Sequence, residues 1–145
     1  EVILWKAEVL IQLDRQDEAL PLINKIRQRA ANSLENLKTA DGSYILNYKC
    51  ELYKPGVNCT WTKAFAWKAM EWENRLELAC EGRRFFDLQR WGTLEKTMNA
   101  YFAVERNRFD WMNIARFTAG RDEFFPISQA QMKWAKGNYT QNPGY

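Results

Sequence analysis

Glu73-Asn74-Arg75-Leu76-Glu77-Leu78-Ala79-Cys80-Glu81-Gly82-Arg83-Arg84-Phe85-Phe86-Asp87-Leu88-Gln89-Arg90-Trp91-Gly92 is the stretch whose reading decides the fold. Glu73, Glu77 and Glu81 recur every four residues, which puts three like charges on one helix face. Such a face needs cations, and Arg75, Arg83, Arg84 and Arg90 are close in sequence. Phe85, Phe86, Leu88 and Trp91 would draw a second helix onto the first. The expected product is a partly buried lattice of ion pairs built from these residues and Asp87, with guanidinium forks matched to carboxylates. A catalytic reading is disfavoured. Carboxylates for glycoside hydrolysis must flank the scissile bond, ~5–9.5 Å apart, whereas carboxylates at i, i+4 point the same way. The neighbouring arginines would also depress the pKa that a general acid needs raised.

Working outward, the periodicity predicts a long helix from Thr62 to Glu81. Phe65, Ala69, Trp72, Leu76 and Ala79 form its core stripe, and Gly82 interrupts it. A second helix, Arg83 to Trp91, ends at Gly92, a left-handed cap. Thr93 caps a third, whose Leu94, Met98, Tyr101 and Phe102 face inward. Phe124-Phe125-Pro126-Ile127 reads as extended. Ser128 with Gln131 is a capping-box pair for a last short helix ended by Gly137.

Upstream, residues 1–31 read as a helical hairpin. Ile3, Ala7, Leu10 and Ile11 line one helix, a turn falls near Asp14-Arg15-Gln16, and Asp17 caps a second helix carrying Ala19, Leu22, Ile23, Ile26 and Ala30. Pro21 sits about one turn in and removes at most one backbone bond. The pair is similar to one tetratricopeptide unit, which cannot bury both of its faces alone. Residues 32–61 lose the helical period. Asp41-Gly42 and Pro55-Gly56 mark turns in an ordered loop, with a short hairpin possible between them. Residues 62–145 hold the central run and the tail. The fold class expected is therefore all-α, with long ordered loops.

Composition narrows the chemistry. Seven Trp, eight Phe and six Tyr make the 145-residue chain rich in aromatics. Trp5, Trp67, Trp72 and Trp91 sit in or beside helical stripes and read as core. A net charge of +3, without a basic run, gives no reason to expect nucleic acid. The absence of histidine removes the commonest general base and zinc ligand. Three cysteines at 50, 59 and 80 form no CxxC, so no metal site or cofactor is expected. No apolar run approaches the ~20 residues of a membrane span. The opening residues already read as helix interior, so the natural chain is expected to begin upstream.

Four motifs in order carry a resemblance. The central run resembles the signature of the SusD/RagB family, of the type ERRxELxxEGxRFFDLxRWG. Ile23-Asn24-Lys25-Ile26-Arg27-Gln28-Arg29-Ala30 is similar to that family's INxIRxRA, and Phe125-Pro126-Ile127 to its FPIP. Gln141-Asn142-Pro143-Gly144-Tyr145 resembles its usual C-terminus. Asn74 stands where an arginine is usual, Ser128 where a proline is, and Cys80 where a plain apolar residue is. The resemblance implies the C-terminal portion of a longer SusD-like fold. It also implies a surface-exposed outer-membrane lipoprotein that binds oligosaccharide, without turnover, as the lid of a SusC-like TonB-dependent transporter. The lipid anchor would lie upstream of this chain, as would most of the ligand face. A lid for peptides or glycoproteins, or a helical-repeat adaptor binding another protein, are the alternatives.

Within this chain the loop aromatics Tyr44, Tyr48, Tyr53 and Trp61 are the candidate ligand contacts, since flat rings stack on sugar C–H faces. Asn47, Lys49 and Asn58 offer hydrogen bonds beside them. A loop packed by its own tyrosines is the plainer reading. Cys50 and Cys59 bracket the Pro55-Gly56 turn and, in an exported protein, are disulfide candidates. Cys80 is expected to be a small buried apolar residue.

Overall fold

The computed structural model describes residues 1–45, 47 and 49–145. Among these the regular structure is helical, with six α-helices and no strand, so the all-α expectation holds. The chain divides into two compact units, Glu1–Arg84 and Phe85–Tyr145.

In the first unit α1 (Val2–Gln12), α2 (Gln16–Ser33) and α3 (Lys63–Glu77) pack against one another. The hairpin turn is a Schellman end to α1. Asp14 takes a left-handed φ of 60°, its N–H donates to Ile11 O at 3.1 Å, and Arg15 N–H donates to Leu10 O at 2.8 Å. Asp17 is not the cap of α2. The helix starts one residue earlier, and Arg15 at the cap position pairs instead with Glu18 at 2.7 Å. Leu4, Ala7 and Ile11 of α1, Ala19 and Ile23 of α2, and Ala66 and Met70 of α3 are wholly buried. Each large apolar side chain among them contributes about 1.5–3 kcal/mol by leaving water.

The buried face of α3 differs from the expected one. Ala66, Ala69, Met70, Glu73 and Asn74 face inward, whereas Trp72 and Leu76 are 46% and 62% exposed. The stripe is displaced by about one residue, or roughly 100° of helix rotation. Two polar residues can be inside because each has partners. Arg27 meets Glu73, and Asn74 Nδ2 donates to Met70 O at 3.1 Å. Nor does α3 reach Glu81. Leu78–Gly82 is a series of turns with positive φ at Cys80 (66°) and Gly82 (73°), which takes Glu81 off the helix and leaves Cys80 exposed rather than buried.

The second unit carries the rest of α4 (Arg84–Arg90), α5 (Leu94–Glu105) and α6 (Gln129–Trp134). Its core gathers Leu88, Leu94 and Phe117, with Phe85, Trp91, Met98 and Phe102 packed around them. Tyr101, expected inward, is exposed. Gly92 at φ 68° ends α4: its N–H donates to Gln89 O and that of Thr93 to Leu88 O, a geometry that favours glycine. Ser128 Oγ accepts from Gln131 N–H and starts α6, as the capping pair predicts. The terminal segment fastens the extended one. Gln141 donates to Ile127 O and accepts from Ile127 N–H, each at 2.8 Å, and Tyr145 Oη donates to Phe124 O at 3.1 Å.

Candidate functional site

Of the charged and aromatic residues singled out in the first unit, Glu73, Tyr53 and Trp61 meet where α2, α3 and the 50–62 loop come together. Arg27 leaves the edge of the α2 core stripe, one residue after buried Ile26 and four after buried Ile23. Its Nη1 donates to Glu73 Oε1 at 2.5 Å and its Nε to Glu51 O at 2.6 Å. The guanidinium lies over the Tyr53 ring, 4.3 Å from the centroid. The Glu73 side chain is buried at 6% exposure, and that of Arg27 is partly buried at 17%. Burial pushes the Glu73 carboxyl above the ordinary glutamate range, opposed by the hydrogen bond and charge of Arg27. For Arg27, burial pulls down but its bond to Glu73 outweighs that, and its pKa is raised.

Asn24, one turn earlier on α2, closes a two-way clamp on the loop. Its Nδ2 donates to Tyr53 O at 2.9 Å and its Oδ1 accepts from Tyr53 N–H at 2.8 Å. Tyr53 also packs against Trp61 and Phe65 with centroids 5.6 Å away, and Trp61 and Phe65 are 5.8 Å apart. Trp61 Nε1 donates to Gln16 O at 3.0 Å. Tyr53 and Trp61 thus share one half-buried cluster that fastens the loop to the helices, and Arg27 covers a face of Tyr53. Tyr44 stands in a different local cluster, its ring exposed, its Oη donating to Glu35 at 2.9 Å and Lys38 Nζ 4.8 Å from its centroid. Tyr48 lies outside the described residues. Asn58, expected to offer bonds to a ligand, is used in its own turn: it accepts from Lys54 N–H and donates to Leu52 O.

The ion pairs draw on partners that sequence proximity does not indicate. Glu73 meets Arg27, and Glu77 meets Arg29 at 2.5 Å, both from α2. Arg83 pairs with Glu1 at 2.5 Å and lies 5.6 Å from the Trp5 ring. Arg75 stacks on Trp72 at 5.1 Å. Glu81 is exposed and Arg84 half-buried. In the second unit Arg90 pairs with buried Asp87 at 3.1 Å. Arg27, Arg29, Asn24 and Glu1 are therefore the residues that sequence reasoning missed. Their signal was present: an arginine flanking a buried stripe needs a carboxylate, and both arginines belong to the Ile23–Ala30 motif.

The disulfide expected between Cys50 and Cys59 is not formed; both are free thiols, as is Cys80. Cys50 Sγ turns to α2 and donates to Arg27 O at 3.5 Å, while Cys59 closes the turn by accepting Gly56 N–H at 3.0 Å.

The model of the SusD family (SusD/RagB) matches residues 1–145. A curated relative, SusD-like protein P38 of Formosa agariphila, is 32% identical over 111 residues. That alignment covers 77% of this chain and 19% of the relative, so the chain spans about a fifth of the length of the protein it matches.

Proposed function

This chain belongs to the SusD family, and on that premise we propose that the intact protein captures an oligosaccharide at the outer surface of the outer membrane and passes it, chemically unchanged, to a TonB-dependent barrel. The observation that carries the reading is the family match along the whole chain. The engagement of the signature carboxylates supports it: Glu73 is locked to Arg27 and Glu77 to Arg29, as struts between helices. On this reading Tyr53 and Trp61 brace the loop, and Tyr44, with its exposed ring, is the loop aromatic open to a sugar. An upstream lipid anchor would hold the protein at the membrane. Among the described residues no helix is long and apolar enough to cross it.

Incubating the intact protein with a panel of glycans tests the reading. Binding by titration calorimetry, with every glycan recovered at its original size, is the expected outcome. Release of shorter sugars by the pure protein would overturn the binding-only assignment.

A further inference from the structure

A cleft in the second unit has a chemistry of its own. Glu95, Asn99 and Arg106 lie at intervals of four and seven, on one face of α5 and its helical continuation. With Arg116, Phe117 and Thr118 they line an open cleft of about 410 Å³, within the ~300–1,000 Å³ common for small-molecule sites. The opposite wall is pinned to α5. Asn99 donates to Phe117 O at 3.0 Å and accepts from Phe117 N–H at 2.9 Å, and Arg106 donates to Phe102 O and Ala115 O at 3.2 and 3.3 Å.

These bonds fix the shape of the cleft and leave its charges uncompensated. Arg106 engages only carbonyl oxygens. Among the described residues Arg116 makes no hydrogen bond or ion pair, and neither does the Glu95 side chain. Glu95 and Arg106 are eleven residues apart, a rise of about 16 Å along the helix. Among the described residues neither arginine forms an ion pair with Glu95, so the cleft keeps both kinds of charge. Arg106 and Arg116, the residue after the Ala115 carbonyl that Arg106 holds, bring to the cleft guanidinium groups whose planar donors suit a carboxylate or sulfate. Glu95 offers a carboxylate that accepts hydrogen bonds from hydroxyl groups.

We propose that this cleft is a subsite for an acidic oligosaccharide, with a carboxylate or sulfate group held by Arg106 and Arg116 and sugar hydroxyls held by Glu95 and Thr118. The assignment rests on the glycan-capture reading and adds the charge of the ligand to it. Calorimetry on the intact protein with three matched probes tests it: trigalacturonate, a sulfated galactotriose and unsubstituted galactotriose. At least one acidic probe should bind more tightly than the neutral one, and its affinity should fall with salt. Arg116→Ala should weaken that probe by about tenfold, as loss of a hydrogen bond to a charged group does, while Arg116→Lys retains part of the affinity and the neutral probe is unaffected. Arg116 is exposed, so the variants leave the fold intact. Equal binding of acidic and neutral probes, or an Arg116→Ala variant with wild-type affinity, overturns the subsite but leaves glycan capture standing. Failure of all three probes and of a broad neutral panel overturns both.

Discussion

At the scale of single residues, Arg27 carries the most. It satisfies a buried carboxylate, a loop carbonyl and an aromatic face at once. Removing it leaves Glu73 buried without its cation, so Arg27→Ala should destabilise the protein by about 3–5 kcal/mol at neutral pH. The sign of the pH dependence follows from burial. The folded state holds the Glu73 proton to higher pH than the unfolded chain does, so this group's share of stability falls as pH rises through the window just above the ordinary glutamate value. Without Arg27 that window widens upward. The gap between variant and wild type, measured by denaturant unfolding, should therefore shrink on acidification; a gap independent of pH would count against the buried pair. Arg29→Ala breaks a pair whose arginine is 68% exposed, and should change stability by no more than about 1 kcal/mol. Asp41 behaves in the opposite sense. Hydrogen bonds from Thr39 and Ser43 lower its pKa to about 2. Its contribution to the 38–44 turn is present above the ordinary aspartate value and lost as pH falls through about 2. NMR titration of the carboxyl carbon checks this, and an ordinary midpoint would contradict the turn geometry.

At the scale of elements, caps and latches decide where segments stop. Thr62 Oγ1 accepts from Phe65 N–H at 3.2 Å and starts α3. Thr62→Ala should cost about 0.5–2 kcal/mol, seen as a lower thermal midpoint, and an unchanged midpoint would mean the cap carries nothing. The C-terminal latch gives a sharper case. Gly144 has φ 83°, and a Cβ there would lie 2.6 Å from Arg121 Cγ. Gly144→Ala should therefore cost about 1 kcal/mol or more. Amide exchange should accelerate at Ile127, whose N–H is held by Gln141, and not in α1–α3; uniform acceleration would refute a local latch. Two of the recurrent motifs acquire a physical meaning here. Gln141–Tyr145 grips Phe124–Ile127, and Ile23–Ala30 supplies the clamp and cations for the loop and for α3.

At the scale of the whole molecule, the proposed partner can be tested directly. Mild detergent extraction of outer membranes should bring a TonB-dependent barrel down with the tagged intact protein; purification alone, from membranes that contain the barrel, would argue against the lid. As to what was legible in advance, the amino-acid sequence by itself determined the helical class, the α1–α2 hairpin, the end of α4, the start of α6, and the family. These rest on local periodicity, on caps spanning a few residues, and on ordered motifs, none of which needs a distant partner. The other end of α6 differs: the helix stops at Trp134, ahead of the expected Gly137, with Lys136 taking the left-handed turn. Only the tertiary structure decided which face of α3 is buried, which arginines serve Glu73 and Glu77, and where the cysteines point. Apolar residues occur on several sides of α3, so hydrophobic pattern alone leaves its rotation open. The contact of Arg27 with Glu73, 46 positions apart in the chain, settles it. The same packing sets Tyr53 and Trp61 against the helices as fasteners of the loop, because a ring beside a helix is buried according to what the helix brings to meet it.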